Sequence, residues 1–134
     1  MSIHPGHAAQ AIGKALQHTR KHLCSRIATL EAASDAAFAV GWDGLVAATE
    51  AAFRHEESVM ELAAYAGLAA HRAENARTLS ALHHATPAVE AGELALGRAA
   101  LAALAAIVSA HRYGTFTAPG CIQLRGHAAR HGKT

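Results

Sequence analysis

The residues most able to do chemistry are acids and imidazoles set into otherwise apolar stretches. In "FRHEESVMELAAYAGLAAHRAEN", residues 53–75, Glu56 and Glu57 stand together and His71 follows fifteen positions after Glu56. Glu56 shares a helical face with Phe53, Val59 and Met60, so it is expected to be buried. A buried carboxylate needs a cation, a metal or a proton. His71 falls on the inward face of the next helical stretch, and His111 closes a long apolar run. Glu56, His71 and His111 would then converge from three helices. Carboxylate oxygen with imidazole nitrogen suits iron, zinc or manganese. A lone inward Glu or His is more often a hydrogen-bonded core residue.

Further donors flank this set. His18 and His22 are four apart on one helical stretch, a spacing that mounts two imidazoles on one face. His55 is next to Glu56, and Asn75 is four residues after His71. A modest helix rotation would turn His18, His22 or His55 inward; otherwise they are solvated boundary residues. His83, His84, His127 and His131 belong to helix ends or the tail. Cys24 reads as a small core residue. Ala48, Ala52, Ala63, Ala100 and Ala103 on inward faces permit close helix approach or a cavity. A cavity could take a haem, with His71 and His111, or His22 and one of them, as axial ligands.

The elements that must position these residues are helices. Apolar residues make up 51% of the 134-residue chain, charged residues 16% and aromatics 4%, and there are only three prolines. Ala dominates the apolar content and is the best helix former. Ile12, Leu16, Leu23, Ile27 and Leu30 make a stripe on a first helix from about Gly6 to about Ala32. Ser34 or Asp35 caps a short turn, with Gly41 and Gly44 loosening the chain. A second helix begins near Trp42–Leu45 and runs to about Ala64, followed by a turn at 65–67. A third runs from Leu68 to about His83, where Pro87 disfavours helix in the residue before it. Pro87 then opens a fourth, from about Ala88 to His111. The expectation is an all-α, antiparallel up-down four-helix bundle over 1–116, with a tail at 117–134 that could form a short helix. Such bundles place cofactor sites between facing helices.

The stretch "AFRHEESVMELAAYAGLAAHRAEN" resembles the central segment of the hemerythrin family. Phe53, Glu56–Glu57, Met60, Tyr65, Gly67 and His71 fall in register with it, "HRYGT" at 111–115 resembles the end of its last helix, and "RKHLCSRIATL" resembles part of its first. The resemblance covers residues from about 10 to 116 and implies a four-helix bundle with a non-haem di-iron centre that binds oxygen. Carried over position by position, it keeps the bridging acid as Glu56, a third-helix ligand as His71 and the last-helix ligand as His111. It places Arg20, Ala52, Asn75 and Phe116 where the family has ligands. Three of seven positions survive. The resemblance thus implies an altered centre of one or two iron ions on Glu56, His71 and His111, with His22, His18, His55 or Asn75 as additional ligands. Arg20 would fill the second iron's place and pair with Glu56, and Tyr65 would stand behind the ligands. The implied role is binding or sensing oxygen, nitric oxide or redox state, without enzymatic turnover. Haem binding and a metal-free structural or interaction role are the alternatives.

Composition narrows the partners. The net charge is +2 and Lys and Arg are scattered, so nucleic acid is not expected. The 11 histidines would add positive charge on acidification. Two cysteines give no disulfide framework, no signal-peptide layout opens the chain, and the run "RAALAALAAIVSAH" is too short to span a bilayer. The expected location is the cytoplasm, without membrane association. So much Ala and so little charge would allow a homodimer.

Overall fold

The computed structural model describes residues 5–110, 112–113 and 116–117, with side-chain surroundings at Ala11 and from Gly13 to Ser109. It is an all-α four-helix bundle. Helix α1 spans Pro5–Glu31, α2 Asp35–Leu62, α3 Leu68–Glu90 and α4 Ala95–Ala110. Two-residue strands, β1 at Arg112–Tyr113 and β2 at Phe116–Thr117, pair antiparallel beyond α4. The expected short helix of the tail lies outside the described residues. Each helix packs on the next in sequence and α1 also packs on α4, which closes a ring of four. Facing pairs run in opposite order along α1 and α2 (Leu16 with Met60, Arg20 with Glu56) and along α2 and α3 (Trp42 with Thr86, Glu56 with His71). That order is compatible with an up-down course. No helix among the described residues is long and apolar enough to cross a membrane.

Two helix boundaries differ from the sequence expectation. Helix α2 begins at Asp35, seven or more residues before the expected start. Ser34 is its N-cap: the backbone is extended at Ser34 and Oγ accepts a hydrogen bond from the Ala37 N–H at 3.2 Å. Asp35 adds negative charge in the first turn, where the helix dipole favours it. Phe38, Trp42, Leu45 and Val46 then bury on one face, so packing carries the helix straight through Gly41 and Gly44. A Cβ at Gly41 would lie 2.9 Å from Leu30 Cδ1, so this glycine lets α1 and α2 approach rather than loosening the chain.

The second difference is Pro87. It neither ends α3 nor starts α4 but lies inside α3, which continues to Glu90. An interior proline forfeits one backbone hydrogen bond and costs about 3 kcal/mol. Here Leu82, Ala85 and Val89 are buried on both sides of it. Burial of a large aliphatic side chain stabilises by about 1.5–3 kcal/mol, so two such residues offset the proline. Pro87 itself is exposed. The break comes instead at 91–94, where Gly92 takes φ +85°, a conformation open to glycine without strain.

Among the described residues the core has two apolar parts. The larger joins Leu23, Ile27, Phe38, Trp42, Phe53, Leu82, Val89, Leu101, Leu104 and Val108 with their neighbours. Cys24, fully buried, belongs to it, as its sequence context suggests. A smaller part joins Leu16 to Met60, with Val59 and Leu68 packed against them. Arg20 and Glu56 fall between the two parts along α1 and α2. Ala48, Ala52 and Ala100 are half-buried, but Ala63 and Ala103 are exposed and line no interior space. Leu96 is 45% exposed at the start of α4.

Candidate functional site

Helix α1 buries Leu16, Arg20, Leu23, Ile27 and Leu30, at steps of four, three, four and three. Arg20 therefore occupies a slot in the apolar stripe and points inward whatever its polarity. On α2 the same logic buries Phe53, Glu56 and Met60, and on α3 Asn75, Thr78 and Leu82. The three stripes bring Arg20, Glu56 and Asn75 into the interior, each 0–1% exposed.

Arg20 Nη2 lies 2.6 Å from Glu56 Oε2 and donates to Glu56 Oε1 at 2.8 Å. One guanidinium nitrogen thus reaches both carboxylate oxygens. His71, with its side chain 10% exposed, places Nε2 3.7 Å from Glu56 Oε1. Asn75 Nδ2 donates to Glu57 Oε2 at 2.9 Å. Arg72 continues the network outward, with Nε 3.4 Å from Glu57 Oε1 and Nη2 3.0 Å from Glu61 Oε2. In this outer part Arg72 stands between the two acids Glu57 and Glu61 on the α2–α3 seam. The outer part, Glu57, Glu61 and Arg72, has no counterpart in the sequence expectation. Its signal was the four-residue spacing of Glu57 and Glu61.

The expected ligands divide into three groups. Glu56 and His71 come together, and Asn75 is buried on the same face of α3 as His71, one turn on. Its amide nitrogen is engaged with Glu57, and Asn75 Oδ1 has no hydrogen-bond partner among the described residues. His111 lies outside the described residues, as do the side chain of Phe116, and His127 and His131. His18, His22 and His55 are exposed and stay on the surface, in a groove between α1 and α2. They do not turn inward, because rotating α1 or α2 would carry Leu16, Leu23 or Phe53 out of the core. The pairing of His22 with His71 as haem ligands is not formed: His22 is exposed in that groove, while His71 faces the buried Glu56. Tyr65 does not stand behind the ligands either. It is 40% exposed in the α2–α3 turn, with its ring against Gly67. His83 is exposed and lies 3.4 Å from Glu50; His84 is exposed too.

A metal bonded to Glu56 fits this arrangement poorly. Such an ion at about 2 Å from a carboxylate oxygen would lie within about 5 Å of Arg20 Nη2. Repulsion between a dication and the guanidinium is then roughly 7 kcal/mol at an effective dielectric constant of 20. The guanidinium already supplies the positive charge that a buried carboxylate requires. Among the described residues, no three His, Cys, Asp or Glu side chains are gathered so as to hold a metal ion.

Comparison with protein-family models, with curated proteins and with solved structures finds no match for this chain. Fold and site together define an all-α four-helix bundle with a polar centre made of a buried ion pair.

Proposed function

We propose that this protein is a hemerythrin-like bundle in which the Arg20 guanidinium has taken over the electrostatic role of a core metal. It works as a non-enzymatic binding or interaction module rather than as a di-iron oxygen carrier, with a cytoplasmic location. The observation that carries this reading is the contact of Arg20 Nη2 with both oxygens of Glu56, at 2.6 and 2.8 Å, with both side chains buried. A fixed, planar, permanently charged group in that position satisfies the carboxylate without any cofactor. The test is to produce the chain in iron-rich medium and measure iron per chain, the absorption spectrum and thermal stability with and without a strong chelator. The reading expects substoichiometric iron, no Soret band, and a melting temperature unmoved by the chelator.

A second reading is favoured by the 3.7 Å approach of His71 Nε2 to Glu56. It keeps one iron on Glu56, His71 and His111 and gives the protein a role in binding oxygen or nitric oxide. That arrangement requires Arg20 to leave Glu56. Stoichiometric iron that is lost in the His71→Ala variant would establish it and overturn the first reading.

A further inference from the structure

Three of the exposed histidines share one groove. His18 and His22 on α1 and His55 on α2 line one groove between the two helices, with a volume of about 460 Å³. All three are exposed, and Leu23, Arg26 and Ala52 line the same space. Among the described residues no carboxylate lines it. We propose that this groove is a surface site for a divalent transition-metal ion, zinc or copper(II), held by the His18–His22 pair on α1 and completed by His55 from α2.

Residues four apart on a helix are neighbours on its surface, with Cβ atoms about 5–6 Å apart. Two imidazoles at that spacing can take one ion between them, as in helical metal sites that use a His pair one turn apart. A set of imidazoles without carboxylates suits zinc and copper rather than magnesium or calcium. As placed, the three side chains do not surround a common point. The pair supplies two nitrogens and water the remaining positions. His55 joins by a change of side-chain rotamer, which exposed residues make in picoseconds to nanoseconds. An ion bound this way clamps α1 to α2 on the outside, at the level where Arg20 and Glu56 join them inside. The site is independent of whether the core holds a metal.

The test uses the full chain stripped of metal by chelator. Zinc is titrated in by calorimetry, and melting is followed with and without zinc. The wild type is expected to take up zinc and to melt at a higher temperature with it, because binding favours the folded state. The His18→Gln/His22→Gln double variant should lose both effects, and His55→Gln should weaken binding without abolishing it. A control carrying His83→Gln and His84→Gln should bind as the wild type does. These residues are all exposed, so far-UV circular dichroism should match the wild type in every variant. Zinc uptake that persists in the double variant, or that is lost in His71→Ala instead, overturns the proposal. So does a wild type that takes up no zinc.

Discussion

The two ends of the bundle solve the same packing problem with different materials. At the end near the α1–α2 connection the interior is apolar: Phe38, Trp42, Ala85, Val89, Leu101 and Leu104 interlock. Arg98 shows the edge arrangement, with its guanidinium 4.5 Å from the centre of the Phe38 ring and Nη2 2.8 Å from Asp35 Oδ1. Trp42 Nε1 donates to Thr86 Oγ1 at 3.0 Å, which in turn donates to the Leu82 carbonyl. Toward the α2–α3 turn the stripe positions hold Arg20, Glu56 and Asn75 instead, and Leu16 and Met60, with Val59 and Leu68 against them, lie beyond. Apolar packing is tolerant of sequence because each contact is weak and non-directional. The polar centre is not tolerant, because a buried charged group depends on specific partners held in fixed positions.

The largest effect should come from breaking the ion pair on one side. Arg20→Ala leaves Glu56 as an uncompensated buried charge and should destabilise by about 3–5 kcal/mol in urea unfolding. Replacing both partners, as Arg20→Met with Glu56→Leu, should cost less than either single change. A double variant as unstable as Arg20→Ala would mean that the pair contributes more than charge compensation.

Next, Leu104→Ala at the apolar end should cost about 2–5 kcal/mol through lost burial and the cavity left behind. The two ends should also differ in coupling. Leu104→Ala combined with Arg20→Ala should be additive within about 0.5 kcal/mol, whereas Arg20 and Glu56 variants should be strongly non-additive.

Asn75→Ala tests the layer between core and surface. It removes one charge-assisted hydrogen bond to Glu57 and should cost about 1.5–3 kcal/mol by the same unfolding measurement. At the apolar end the comparable edge contact is weaker. Arg98→Gln keeps some of the stem packing but loses the exposed pair with Asp35, and a loss of at most about 1 kcal/mol, reduced by salt, is expected.

The smallest effect concerns the turn that bounds the polar end. Ala64 sits at φ 53°, in the left-handed region. Ala64→Gly relieves a strain of about 1–2 kcal/mol but adds freedom to the unfolded chain, so a net gain of roughly 0.5 kcal/mol is expected in thermal melts. A loss would mean that the Ala64 methyl group has packing value.

Much of this division was legible residue by residue. The stripe through Leu16, Leu23, Ile27 and Leu30 has an empty place at position 20, and the structure fills it with Arg20. The charge of Glu56 within an apolar face announced a partner, and the resemblance pointed to Arg20 as that partner. Two boundaries were not legible. Ser34 and Asp35 carry an N-cap signal, but only the burial of Phe38 and Trp42 shows that the helix continues through Gly41. Pro87 is a local helix breaker overruled by the burial of Leu82 and Val89 on either side of it. The fate of His18, His22 and His55 was equally undecided, since their spacing places them on helices without saying which face turns inward.

By itself the sequence determined that the chain is helical, with four amphipathic segments and a polar interruption in three of their stripes. These features follow from local propensity and from the 3.6-residue period, and both are written in neighbouring residues. Only the tertiary structure decided which polar groups meet. Arg20 and Glu56 are 36 residues apart in the chain, and their pairing depends on how α1 and α2 align over the whole helix–helix contact. That alignment also leaves three histidines outside and brings His71 against Glu56. The rotation of each helix is fixed by the largest apolar area it can bury, and the polar residues take the positions which that rotation leaves them.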